Sequence, residues 1–141
     1  ISYQNVSSRE YHHLFPDALL KEVGIKSFEA MNCALITWKT NRTLGRQDPL
    51  VYIQERIKIT KIENVSMRFK SHLIPFDLLK DATYDGLSGE TLEQVLRSDY
   101  EQFKNERAKL FKIAIGYLCN GDDPSLDNIW NEYSLLKEKF V

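Results

Sequence analysis

The spacing of apolar positions changes along this chain, and those changes mark its parts. Tyr11 to Pro16 reads as a short extended stretch running into an apolar pair and a proline. Residues 9–13 are therefore predicted as a first strand. Pro16-Asp17 then opens a one- or two-turn helix over 18–22, stopped by Gly24. Residues 32–38 alternate, with Ala34, Ile36 and Trp38 on one face and Leu35 on the other, which predicts a second strand. Thr40 or Asn41 is placed to cap a short helix that Gly45 closes.

From residue 48 the period becomes helical. Asp48-Pro49 supplies an N-cap and a first-turn proline, and Leu50, Ile53 and Ile57 form the stripe behind them. Asn64 is predicted to open a helix over 65–73 that Pro75 ends, with a short turn at 76–79. A helix starting at Ser88 or Glu90 is expected to break near Ser98-Asp99, and a long one to follow over 100–119. Asn120-Gly121 ends it. Pro124-Ser125 opens the last helix, 126–140, where Ile129, Trp130, Tyr133, Leu136 and Phe140 follow helical spacing. The expected class is α+β and mostly helical. A small ββα unit over 1–47 packs against a helical subdomain over 48–141, the two forming one unit.

Composition narrows the picture little. With 141 residues, 43% hydrophobic and 28% charged, the chain is ordinary globular material able to build one core. It opens at Ile1, which reads as a fragment of a longer protein. It has no run of about 18 apolar residues that would span a membrane. Cys33 and Cys119 lack partners at zinc-site spacing and sit among apolar residues, so both are expected as reduced core cysteines, which suits the cytoplasm. A structural zinc module is disfavoured for the same reason.

Charge is more telling. The net of −1 conceals +4 over residues 1–80 and −5 over 81–141. Phosphate-binding groups are thus expected in the first half. Lys39, Arg42 and Arg46 are the candidates for DNA-backbone contacts, with a solvated helix face as the plainer alternative. Aromatics of the last helix share a face with aliphatics, so they read as core or interface rather than a base-stacking platform.

One group of residues combines metal-binding and proton-transferring chemistry: His12-His13-Leu14-Phe15-Pro16, then Asn32, then Asn41. Neighbours on a strand face opposite ways, so both histidines cannot serve one metal from a regular strand. One imidazole and one asparagine oxygen suffice for a hard divalent ion, which keeps several waters and takes phosphate oxygens. A second imidazole can act as general base.

These residues resemble the HNH, or ββα-metal, nucleases. The resemblance rests on His12-His13-Leu14-Phe15-Pro16, Asn32-Cys33-Ala34-Leu35-Ile36 and Thr40-Asn41-Arg42-Thr43-Leu44-Gly45. It implies His12 as first metal ligand, His13 as general base, Asn32 as the residue orienting that base and Asn41 as second ligand. A closer resemblance is to the C-terminal half of GmrSD-like, modification-dependent (type IV) restriction proteins. It adds Asp48-Pro49 with Tyr52, then Ser71-His72-Leu73-Ile74-Pro75, then Tyr100, Phe103, Arg107 and Leu110, and so spans roughly residues 9 to 120.

Two departures stand out. An asparagine where many members carry histidine favours Mg²⁺ or Mn²⁺ over Zn²⁺. The upstream ParB-like nucleotide-hydrolysing domain of such proteins is not in this sequence. The resemblance implies a metal-dependent DNA endonuclease, the effector of a phage-defence or restriction protein, with DNA and that ParB-like domain as partners. The competing expectation is a non-catalytic interaction or DNA-binding module of a larger nucleotide-sensing protein. His72 and Asn64 are expected as a packing residue and a helix cap.

Overall fold

The computed structural model describes residues 9–37 and 47–138. Strand β1, Arg9–His13, pairs antiparallel with β2, Cys33–Thr37, so that His12 lies opposite Ala34 and His13 opposite Cys33. Between them lie α1, Asp17–Glu22, and a 3-10 turn, Ala30–Asn32. Gly24 follows α1 at φ 67°, a left-handed position that glycine occupies without Cβ strain. The expected ending of that helix is therefore met.

Four helices form the rest of the described chain: α2 (Pro49–Ile59), α3 (Ile62–Ser71), α4 (Gly89–Asn120) and α5 (Leu126–Glu138). A 3-10 turn, Phe76–Leu78, sits where the short turn was expected. The mostly helical α+β class holds. The short helix expected after Thr40 lies outside the described residues.

Four details differ from the sequence reading. First, α4 runs unbroken for 32 residues through Ser98-Asp99. Leu92, Leu96, Tyr100, Phe103 and Arg107 hold one buried stripe across that point, and the Asp99 carboxylate accepts from Tyr84 Oη at 3.1 Å instead of competing for backbone. Second, α3 begins at Ile62, and Asn64 sits inside its first turn, where its Nδ2 donates to Thr60 Oγ1 at 3.0 Å. Third, Asp48 occupies the N-cap position of α2 but its carboxylate accepts from Tyr84 N at 2.7 Å and Thr83 Oγ1 at 3.1 Å, tying two segments rather than capping a helix. Fourth, Cys119 is exposed, because it lies on the last turn of α4 away from the core; Cys33 is half-buried and both are free thiols.

The core explains why the hairpin holds its shape. A two-stranded sheet is marginal alone. Here the residues directly after β1, Leu14 and Phe15, enter the core formed with α2, α3 and α4. Phe15 is fully buried, its ring centroid 5.3 Å from both Tyr100 and Phe103. A second cluster, Leu110, Ile113, Ile129 and Tyr133, joins α4 to α5.

Candidate functional site

Strand alternation separates the two histidines. His12 turns inward with Ala34 and is 8% exposed. Its ring meets Tyr52 of α2 edge-on at 6.0 Å. The Tyr52 hydroxyl donates to Leu14 O at 2.9 Å, so that one side chain both backs His12 and fixes the strand end. Complete burial raises the Tyr52 phenol well above its ordinary range, which keeps it a proton donor.

His13 turns outward with Tyr11. Its ring stands edge-on to Phe28 at 5.6 Å. Its Nε2 is shielded from solvent and has no hydrogen-bond partner among the described residues. A shielded imidazole nitrogen without a partner is costly to maintain for packing alone. Opposite it, burial pushes the Cys33 thiol up, despite the nearby Arg107 charge, so sulfur stays protonated beside His13.

Asn32 is fully buried and lies between the two strand ends. Its Oδ1 accepts from Phe15 N at 2.8 Å. Its Nδ2 donates to Phe15 O at 3.1 Å and Ser27 O at 3.0 Å. Both amide protons are thereby committed to backbone. Asn32 was expected to orient His13; the contacts found here grip the chain two residues beyond His13, so any orienting effect passes through the backbone.

Arg107 is the residue whose role the sequence reading left unassigned. It projects from α4 into the interior, 3% exposed. Nη1 donates to Met31 O at 2.7 Å and Cys33 O at 2.9 Å, the carbonyls on either side of Asn32. Nε donates to Leu73 O at 3.3 Å and Nη2 to His72 O at 3.4 Å. Leu73 has φ 52°, a strained value for a branched residue, and Arg107 helps to hold it. Burial lowers the guanidinium to about 10, still charged at neutral pH. The available signal was a cation inside an apolar helical stripe, between Phe103 and Leu110.

His72 itself is exposed, and its carbonyl is used in this network. Four segments singled out in the sequence, around His12, Asn32, Ser71-Pro75 and Arg107, thus meet at one place. Asn41, Lys39, Arg42 and Arg46 lie outside the described residues. Among the described residues, no three His, Cys, Asp or Glu side chains gather into a group able to hold a metal.

The loop from α1 to Asn32 is tied down at several points. Ser27 Oγ donates to Asp17, which also pairs with Lys21 at 2.6 Å. Those two hydrogen bonds, Lys21 first, hold the Asp17 carboxyl below its usual range. Glu29 pairs with Lys104 of α4 at 2.9 Å, and Tyr100 Oη donates to Lys26 O at 3.3 Å.

No protein-family model matches the chain, and no solved structure is a significant match. It is similar to an uncharacterized protein of Methanocaldococcus jannaschii, 28% identical over 116 residues, which cover 72% of this chain. The chain spans about a fifth of that relative's length, 19%.

Proposed function

We propose that the chain is a metal-dependent DNA endonuclease that hydrolyses phosphodiester bonds with His13 as general base. One observation carries the reading. His13, its Nε2 without a hydrogen-bond partner among the described residues, ends a strand whose return partner starts from a buried, fully engaged asparagine. The convergence of the later resembled segments on Arg107 supports it further.

By the resemblance, a hard divalent ion with few protein ligands would be held by the His12 imidazole and by the Asn41 amide oxygen, the latter outside the described residues. A bound Mg²⁺ or Mn²⁺ would neutralise charge developing on the phosphate and the leaving oxygen.

The chain's own residues do the rest. His13 takes a proton from the attacking water, whose oxygen forms a new bond to phosphorus. The P–O3′ bond breaks, and the resemblance implies 5′-phosphate and 3′-hydroxyl ends. Asn32 and Tyr52 hold the backbone at Leu14-Phe15, and so hold His13 at the strand end. Lys39, Arg42 and Arg46 are the proposed contacts to the DNA backbone. In this reading the chain is the effector part of a restriction or phage-defence protein, controlled by an upstream ParB-like domain.

A plasmid-nicking assay with Mg²⁺ or Mn²⁺, with and without EDTA, tests the proposal. Wild type should nick, EDTA should stop it, and His13→Ala should lower the rate at least about a hundredfold while sparing DNA binding. A fully active His13→Ala protein would end the assignment. The second reading, a docking module, is favoured by the acidic second half and by a groove of about 990 Å³ between α4 and α5, which includes Glu106, Tyr117 and Glu132. A folded chain that binds metal yet never nicks, even when joined to a ParB-like domain, would select it.

A further inference from the structure

Three successive carbonyls at the start of β2 serve two different partners. Met31 O and Cys33 O accept from Arg107 Nη1 at 2.7 and 2.9 Å. Asn32 O, between them, accepts from Leu14 N at 2.8 Å. The same three residues are thus tied to α4 and to the residue directly after His13. Cys33 is also the cross-strand partner of His13. From the Arg107 guanidinium to His13 the path runs through backbone and hydrogen bonds, with no flexible side chain between.

A cation is a costly means of filling a core. Arg107 is buried, and its acceptors are the backbone carbonyls of Met31, Cys33, His72 and Leu73. No carboxylate among the described residues pairs with it. Exchanging a buried ionic group for an apolar one of similar volume is often neutral or stabilising. What an apolar side chain cannot supply is a rigid fork of donors. Here that fork spans two segments, the start of β2 and the turn after α3, where Leu73 holds φ 52°. The Phe111 ring centroid lies 5.5 Å from the guanidinium carbon, a cation–π contact that further restrains the group. Helix α4, continuous over 32 residues, provides the anchor.

We propose that Arg107 is a positioning residue for His13. Its guanidinium, mounted on α4, sets the backbone of residues 31–33 and, through the hydrogen bond from Leu14 N to Asn32 O, the place of the imidazole. That the placed imidazole acts as a base rests on the nuclease reading; that Arg107 places it does not.

Two variants of the 141-residue chain test this. Arg107→Lys keeps the charge on a single-point donor that cannot span both segments, and Arg107→Met removes the charge at similar length. Each is compared with wild type by NMR in EDTA and by plasmid nicking in Mn²⁺. Arg107→Lys should keep the far-UV circular dichroism and the α4 amide protection of wild type. Its Leu14 N–H should lose exchange protection, and the His13 ring-proton resonances should move. The kcat for nicking should fall about tenfold to a hundredfold, with KM for DNA unchanged. Arg107→Met should show the same losses, larger; if it does not fold, Arg107→Lys alone decides. Leu14 protection and His13 resonances unchanged in Arg107→Lys would overturn the proposal. So would protection lost equally along α4 and the hairpin, which marks a staple of the core and nothing more. A nicking rate equal to wild type would overturn it too. A wild type that never nicks ends the nuclease reading instead, and the exchange and resonance readouts still decide whether Arg107 places His13.

Discussion

Asn32 and Asp17 show how single side chains set the geometry at the strand ends. Asn32 makes three hydrogen bonds in a fully buried position. Asn32→Ala strands the Phe15 and Ser27 backbone groups it now satisfies, and should cost roughly 2–4 kcal/mol by urea unfolding. Asn32→Asp should be no milder, since a carboxylate cannot donate to Phe15 O and Ser27 O. Asp17 provides a pH handle on the same loop. Its carboxyl titrates below the ordinary 3.8 in the folded state. The unfolded chain therefore binds the proton more readily, so the contribution is present above that ordinary value and is lost as pH falls through the folded one. Urea midpoints should drop on acidification in that window, and Asp17→Asn should flatten the acid end of the curve. An Asp17→Asn curve parallel to wild type would show that the Lys21 and Ser27 contacts do not stabilise the fold.

At the level of elements, the continuity of α4 is the feature most exposed to test. The Ser98-Asp99 pair reads as a break because both residue types favour caps and turns. The stripe from Leu92 to Arg107 overrides them. Ser98 is exposed, so Ser98→Pro changes backbone rather than packing. It should cost about 3 kcal/mol in thermal or denaturant unfolding if the helix is continuous, and little if a break existed there. At the other end, Gly121 has φ 77° and closes the helix in the left-handed conformation. Gly121→Ala should cost about 1 kcal/mol.

For the whole molecule, the hairpin and the helices share one core. Phe15, from the histidine segment, packs on Tyr100 and Phe103, more than eighty residues away. Phe15→Ala should cost about 3–5 kcal/mol. The change should lower hydrogen-exchange protection in α4 as well as in β1 and β2, because neither part keeps its core without the other. Loss confined to the hairpin would mean the two parts are energetically independent.

Local pattern determined the elements: a short extended stretch at 9–13 ahead of an apolar pair and a proline, alternation over 32–38, period 3.6 beyond 48, glycine at two helix ends. These signals come from contacts a few residues apart, and so are legible along the chain. The candidate residues His12, His13 and Asn32 were likewise visible as types at a spacing. The grip of Asn32 on Phe15 and the reach of Arg107 to Met31 depend on pairs separated by 17 and 76 residues. No periodicity encodes such pairs. The same holds for the break that α4 does not have, since only packing against the hairpin and α2 makes its buried stripe decisive. Sequence alone determined which side-chain types the chain carries and at what spacing; tertiary structure decided which groups face one another, because burial and long-range pairing are properties of the folded whole.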